Sequence, residues 1–283
     1  MRVMQIPRIS PPTVDEFYSD YVNRGRPVVV TGSMDGWPAL SRWSASEYLT
    51  RAGSSIVPVE AFDPNGRSRT ESMSIADYIS RVQDSDGVQD AYLSEVLLRE
   101  ALPELLGDVK SSVYRPDSDP GDLALMMGRQ TYAPMHFHPM TEAISAQVVG
   151  TKKFILIEPK FAPLLQPLPF YSPYFNFSKF DFRNGWLEPL SDAGVSNGLD
   201  AWETTLHPGD FIYIPVHWWH VVYGGDNLNI LLVDFFSAKL KNLHYPSPGL
   251  QSILQDMVRR FTPSGLLDRI EKGYASRVVS NMD

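Results

Sequence analysis

The sequence contains no cysteine. Disulfides, thiolate-bound metals, iron–sulfur clusters and cysteine nucleophiles are therefore excluded, and any metal must be held by nitrogen and oxygen atoms. The N-terminus also lacks the apolar stretch of a secretory signal, and no run approaches the roughly 20 apolar residues of a membrane span. These absences predict a cytoplasmic protein without a membrane partner.

Basic residues are fewer than acidic residues and are scattered along the chain. The chain has 25 Lys and Arg against 33 Asp and Glu, which gives a formal net charge of −8. No basic stripe is present that would neutralise phosphates, so a nucleic-acid partner is not expected. The 283 residues, 43% of them hydrophobic, are enough to bury a full core.

The pattern of the chain changes after its first third. Short helical and strand-like segments alternate at first, beginning with a capping box at Thr13 and Glu16. From about Leu123, short apolar runs separated by Gly and Pro indicate a β-barrel or sandwich, and a helical period returns after about Ser247. The predicted organisation is a single domain, 1–283, with an α/β lead-in at 1–120, a β core at 121–240, an insertion at 159–200 and C-terminal helices at 241–283.

The insertion carries many aromatic side chains but little periodicity. A long loop inside a compact domain usually has a function. Two interpretations are open: the loop covers a substrate pocket as a lid, or it forms a packing layer across a sheet. The aromatic residues concerned are Phe170, Tyr171, Tyr174, Phe175, Phe177, Phe180, Phe182 and Trp186.

Two histidines stand two positions apart in a strand-like segment. If the segment is extended, the imidazoles of His136 and His138 point to the same side, as a chelating pair requires. Neutral imidazole suits iron, copper, zinc or nickel, and three such ligands would form an open site. The alternative is that both are ordinary polar strand residues beside Pro134 and Pro139.

A second segment, 208–220, adds further histidines. A tight turn, a strand and a proline precede Trp218, Trp219 and His220. Two adjacent indoles are unfavourable on a surface, so they indicate a packed wall from which water is excluded, with His220 beside it. His217 competes for the ligand position, and the alternative is that both histidines only satisfy buried hydrogen bonds.

The paired segments resemble the JmjC/cupin-like oxygenases, in the style of the asparaginyl hydroxylase that acts on hypoxia-inducible factor and of its bacterial cupin-8 relatives. The resemblance extends over roughly residues 5–240 and rests on more than the histidine motifs. The matching segments are 26–32 (RPVVVTG), 43–49 (WSASEYL), Gly128 with 134–136 (PMH), 147–156 (QVVGTKKFIL) and 208–220 (PGDFIYIPVHWWH).

This resemblance implies a double-stranded β-helix of the cupin, or jelly-roll, type that binds iron(II), 2-oxoglutarate and O₂. By position, His136 matches the family's first ligand and His220 its distal ligand, while His217 falls at a non-ligand position. The family usually has an acidic residue two positions after the first ligand, and His138 stands there in this chain.

The histidine in place of a carboxylate leaves three interpretations open. The site is a three-histidine centre that still uses 2-oxoglutarate, a three-histidine dioxygenase that needs no oxo-acid, or an inactive binding cupin. One extra residue also separates His136 from Gly150 relative to the usual spacing, so a shifted register would make His138 the first ligand and Glu142 the carboxylate. We expect His136, His138 and His220 to hold the metal.

The resemblance also assigns residues to the co-substrate and the pocket. Lys152 matches the family position whose ammonium pairs with the distal carboxylate of 2-oxoglutarate, although one of Lys152 and Lys153 must face solvent on a strand. Thr131 and Tyr132 are the nearest hydroxyls that replace a family threonine. The residues expected around the pocket are Arg129, Asp234 and Trp219.

Together these features predict an iron(II)- and 2-oxoglutarate-dependent oxygenase that oxidises a C–H bond. A small, amino-acid-derived substrate is the first expectation, because neither a basic surface nor a reader module is visible, and a protein side chain is the second. The apolar period from Leu250 to Ile270 predicts helices that support a homodimer or pack within the chain.

Overall fold

The structure is a computed structural model that describes residues 1–51, 53–62, 68–84, 91–169, 172 and 174–239. The predicted C-terminal helices, and any dimer contact through them, lie outside the described residues. Within those residues, no helix has the length and apolar character needed to cross a membrane.

Short strands make up most of the described elements. The strands are β1 (Arg2–Gln5), β2 (Arg8–Ile9), β3 (Val28–Thr31), β4 (Ile56–Phe62), β5 (Ser68–Ser74), β6 (Ala91–Leu97), β7 (Ala124–Gly128), β8 (Tyr132–His136), β9 (Thr141–Val149), β10 (Lys152–Ile157), β11 (Asp200–Leu206), β12 (Asp210–Ile214), β13 (Trp219–Gly224) and β14 (Asn229–Ser237).

Helices are short and lie mostly in the first half of the chain. The α-helices are α1 (Val14–Asp20), α2 (Ala39–Arg42), α3 (Ser46–Arg51), α4 (Ile75–Asp84), α5 (Leu98–Ala101) and α6 (Glu188–Asp192), and the 3₁₀ turns are Val22–Arg24, Pro103–Asp108, Pro120–Asp122, Pro159–Leu165 and Ser196–Gly198. Helix α1 begins at the predicted capping box, since the Thr13 hydroxyl accepts from the Glu16 amide and the Glu16 carboxylate accepts from the Thr13 amide.

Two facing sheets form the core. One sheet has the order β1-β11-β10-β13-β8, and the other has the order β2-β3-β12-β9-β14-β7-β6-β4-β5. Strand pairing is antiparallel except for β1 with β11 and β2 with β3. This architecture confirms the prediction of a mainly β, jelly-roll core with flanking helices. The lead-in is part of it, because β2 to β6 extend the larger sheet.

Alternation along each strand divides the apolar side chains between an interior and two outer layers. In β14, Leu231 and Val233 point between the sheets, whereas Ile230 and Leu232 pack outward against the lead-in helices. The insertion covers the outer face of the smaller sheet, where its side chains meet those of β10 and β13. Phe175, Phe180, Phe182 and Trp186 therefore belong to a packing layer over this sheet, while Phe177 reaches the histidines described next. Phe170 and Tyr171 lie outside the described residues.

Candidate metal centre

The structure brings three histidines together at one end of the smaller sheet. His136 is the last residue of β8, His138 follows it by two positions, and His220 is the second residue of β13. The ring centroid of His220 lies 4.2 Å from that of His136 and 4.7 Å from that of His138. One ligand atom from each ring lies within 4.8 Å of the others, which is a group able to hold a metal ion.

A local irregularity in strand pairing places these rings. His220 is paired with His136 and Val222 with Ala133, so β8 has one extra residue between the two pairs. Such a β-bulge changes the direction of side chains and is common beside active sites.

His217 precedes β13 with a left-handed φ of 66°, and its amide donates to the carbonyl of His138. His217 also contacts the Pro139 carbonyl through Nε2, at 2.9 Å, so it fixes the loop and lies outside the metal group.

Hydrogen bonds to the backbone orient two of the three rings. Nδ1 of His136 donates to the carbonyl of Pro134 at 2.7 Å, and Nδ1 of His220 donates to the carbonyl of Trp218 at 3.0 Å. Because a carbonyl only accepts, each Nδ1 carries the proton and each Nε2 keeps its lone pair. This is the tautomer of a histidine that binds metal through Nε2.

Burial keeps the three imidazoles neutral, as ligation requires. It lowers the pKa of His136 and His220, and it lowers the pKa of His138 to about 3, with repulsion from His136 as a second cause. Nδ1 of His138 is buried and has no hydrogen-bond partner in the described part of the chain. Three neutral imidazoles with one ligand atom each within 4.8 Å of the others form an all-nitrogen donor set that fits a divalent metal such as iron(II).

Aromatic side chains form the walls around the histidines. Phe177 stacks on the His136 ring at 5.2 Å, with an angle of 17° between the planes, and Phe235 meets the His138 ring edge-on at 5.2 Å. The Ser178 amide donates to the carbonyl of Met135, which holds the insertion against β8. The centre therefore has apolar walls on two sides.

The alternative carboxylate, Glu142, does not reach the histidines. It is buried on β9 opposite Phe236, on the same face as Ile144 and Ala146, and these three neighbours belong to the outer layer beneath the lead-in helices. Successive residues of a strand point to opposite faces, so this face cannot contribute to the interior. The shifted register that makes Glu142 a ligand is corrected for this reason.

The two neighbouring lysines of β10 face opposite ways. Lys153 points outward and pairs with Glu203 at 3.0 Å. Lys152 is 2% exposed and points into the interior, with Nζ 5.4 Å from the ring centroid of Tyr92. Burial lowers the pKa of Lys152 to about 7, and none of the described acidic residues forms an ion pair with it. An interior cation of this kind needs an anion.

Thr131 lies at the same end of the interior as Lys152. Its carbonyl accepts from the amide of Gly224, which is the residue paired with Lys152 across the sheet. A Cβ built on Gly224 would lie only 2.5 Å from Oγ1 of Thr131, so that hydroxyl fills the space a side chain would take. Tyr92, which the sequence did not single out, stands beneath the lysine on β6.

Four other predicted residues lie away from the interior. Tyr132 and Trp219 are in the outer layer under the insertion, where the Tyr132 hydroxyl accepts from the Phe182 amide and Trp219 packs on Phe137. This placement corrects the expectation that they contact co-substrate or substrate. They face outward because Trp219 alternates with His220 and because the bulge in β8 turns Tyr132 around.

Arg129 and Asp234 contact other parts of the protein and do not face the interior. Nε of Arg129 donates to the carbonyl of Asp226 at 2.5 Å and so joins two loops at the sheet edge. Asp234 points to the outer face of the larger sheet, with its Oδ2 3.5 Å from Nε of Arg115. The expectation that both line the pocket is corrected, since neither side chain enters the space between the sheets.

A family profile and individual relatives were both found to match the chain. A profile described as "Cupin-like domain" matches residues 14–242. The chain is 29% identical to JmjC domain-containing protein D of Dictyostelium discoideum, over 77% of the chain and 53% of that protein. It is 30% identical to Lysine-specific demethylase 8 of Danio rerio, over 77% and 55%, and to Lysine-specific demethylase JMJ30 of Arabidopsis thaliana, over 74% and 50%.

These relatives correct one expectation. The chain spans about half the length of the curated relatives it matches. Two of the three are named as lysine-specific demethylases, whereas composition had favoured a small-molecule partner and no nucleic acid. That partner prediction is wrong, because net surface charge reports on non-specific attraction and does not identify a specific substrate or partner.

Proposed function

Because the chain belongs to the cupin-like, JmjC family of iron(II)- and 2-oxoglutarate-dependent oxygenases, we propose that it oxidises an amino-acid side chain of a protein. The observation that carries the proposal is the combination of three neutral histidines, on or just after strands β8 and β13, with an interior lysine on β10 of the same sheet. The names of the relatives make lysine the first side chain to test.

His136, His138 and His220 would hold iron(II) in this proposal. With 2-oxoglutarate and O₂, the bound iron would supply the oxidising power needed to break a C–H bond. Three protein ligands leave the remaining coordination positions to other molecules. Phe177 and Phe235 limit the access of water to those positions, because they cover the His136 and His138 rings.

Lys152 would supply the cation for the oxo-acid. Leu156, four positions further along β10, is paired with His220, so the backbone of Lys152 lies about 13 Å along the strand from the level of the histidines. In this proposal, 2-oxoglutarate would bridge the Lys152 ammonium and the metal held by the histidines. The Thr131 hydroxyl and the Tyr92 ring flank the lysine end.

Binding of 2-oxoglutarate should depend on pH through Lys152. The pKa of about 7 means that the ammonium is largely charged below pH 7 and is neutral above it in the free protein. Binding an anion requires the charged form, so affinity is expected to fall by up to about tenfold per unit as the pH rises above 7. Calorimetric titration of the metal-loaded protein in buffers of different ionisation enthalpy would detect the accompanying proton uptake.

Lys152→Arg is the matched control for this pH dependence. Guanidinium stays charged throughout the range, so its affinity for the oxo-acid should change little between pH 6.5 and 9. An equally flat profile in the wild type would contradict the assignment of Lys152 to the oxo-acid.

The proposed activity can be tested with peptides. The iron(II)-loaded protein, 2-oxoglutarate and O₂ would be incubated with peptides that contain lysine or arginine, with and without N-methyl groups. We expect succinate to form together with a peptide that has gained an oxygen atom or lost a methyl group. Metal binding without succinate would overturn the proposal and favour a binding cupin, while O₂ uptake without succinate would favour a three-histidine dioxygenase.

A further inference from the structure

The three histidines are not held equally by the protein. His136 and His220 each belong to a strand and each donate from Nδ1 to a backbone carbonyl, so their rings are fixed before any metal arrives. Ligating histidines normally have such an outer partner, and its loss typically weakens metal binding by about 10–100-fold.

His138 lacks this support. It lies beyond the end of β8, and neither of its ring nitrogens hydrogen-bonds to any residue that the structure describes, although Nδ1 is buried. The aromatic rings that contact it are the other two imidazoles and the edge of Phe235, which is itself 36% exposed. Apolar contact of this kind limits rotation of the ring without fixing a tautomer.

We propose that His138 is an exchangeable ligand that contributes least to metal affinity and can leave the metal while His136 and His220 retain it. The proposal rests on the metal site of the proposed function. A carboxylate at this position would bring a negative charge to the cation, whereas an imidazole without an outer partner brings neither charge nor a fixed orientation. The protein thus holds two firm ligands and one loose ligand.

Cobalt(II) is a suitable probe, because its visible absorption reports ligand number without any turnover. Titrations would compare the wild type with His138→Ala and His136→Ala. We expect His138→Ala to weaken cobalt(II) binding by about tenfold or less, and His136→Ala by about 100-fold or more. An equal loss in the two variants, within about threefold, would overturn the proposal.

Two further measurements test the proposal even if one of the alanine variants fails to fold. His138→Asp should bind cobalt(II) more tightly than the wild type, since it adds a charge at the same position. In the cobalt-loaded wild type, proton NMR should show two slowly exchanging, metal-shifted imidazole N–H signals, those bonded to the Pro134 and Trp218 carbonyls. Three such signals, or weaker binding by a folded His138→Asp, would contradict a loose His138.

The test of His138 can fail or succeed independently of the test of the proposed oxygenase function. None of these measurements uses 2-oxoglutarate or a peptide, so the order of metal affinities stands if no oxidation is found. Conversely, three equally firm histidines would leave the oxygenase proposal intact and remove only the exchange of His138.

Discussion

His220→Ala is expected to abolish iron(II) binding at micromolar metal and to reduce 2-oxoglutarate turnover to background. His220 is 3% exposed, its Nε2 keeps a free lone pair because Nδ1 donates to the Trp218 carbonyl, and its ring is within 4.7 Å of both other imidazoles. Removing this ligand should weaken metal binding by at least about 100-fold. Equilibrium dialysis with iron(II) under anaerobic conditions measures the loss directly.

His207→Ala is the control for that variant. His207 is an exposed histidine in the turn between β11 and β12, outside the metal group, so its removal should leave iron(II) binding unchanged. The metal-free His220→Ala protein should also remain folded, with a loss of about 1–3 kcal/mol for the Trp218 carbonyl left without its donor. Wild-type iron(II) affinity in a folded His220→Ala protein would remove His220 from the metal centre.

The spacing of the first two histidines could be interpreted from sequence because strand geometry is simple. Residues two apart share a face, and His136 and His138 do lie on one side. The choice between His138 and Glu142 as partner depended on the pairing of β9 with β14, which local sequence does not encode. Once Glu142 is opposite Phe236, its distance from the histidines follows from alternation alone.

Two residues that were predicted to face the interior, Trp219 and Tyr132, face outward for different reasons. Trp219 is adjacent to His220 in a strand, so an inward histidine already implied an outward tryptophan. Tyr132 lies four positions before His136, and simple alternation would have turned it inward. The bulge between the His220 and Val222 pairs adds one residue to β8 and reverses that direction.

The lead-in shows what local sequence patterns cannot predict. Its helices and strands were visible as capping boxes and apolar runs, but nothing in them indicated that β6 would pair with β7 and carry Tyr92 into the interior. Long-range strand pairing decides such contacts. The lead-in therefore contributes Tyr92 to the surroundings of Lys152 although it carries no recognisable motif of its own.

Lys152→Met is expected to abolish binding of 2-oxoglutarate while making the metal-free protein more stable. The methionine keeps an unbranched chain in the interior and removes an ammonium that burial disfavours. At pH 7 and below, we expect a gain of about 2–4 kcal/mol in the free energy of unfolding, measured by urea denaturation. Affinity for the oxo-acid should fall by more than about 100-fold, since its carboxylate loses its cation.

The pH dependence of this gain has a definite sign. The pKa of Lys152 is about 7 in the folded protein and near 10.5 in the unfolded chain, so the unfolded chain binds the extra proton between these values. The wild type should therefore gain stability relative to Lys152→Met as the pH rises from 7 towards 10.5. Below pH 7 the difference should be constant and largest.

Lys153→Met separates burial from simple loss of a lysine. Lys153 is the adjacent residue on the same strand, but its side chain is 47% exposed and pairs with Glu203, so its replacement should change stability by less than about 1 kcal/mol. Stabilisation by Lys152→Met alone would mean that the protein keeps an unfavourable interior cation for its ligand. If Lys152→Met were the less stable variant, the ammonium would have a compensating partner in the free protein, and an anchor for the oxo-acid would have to be sought elsewhere.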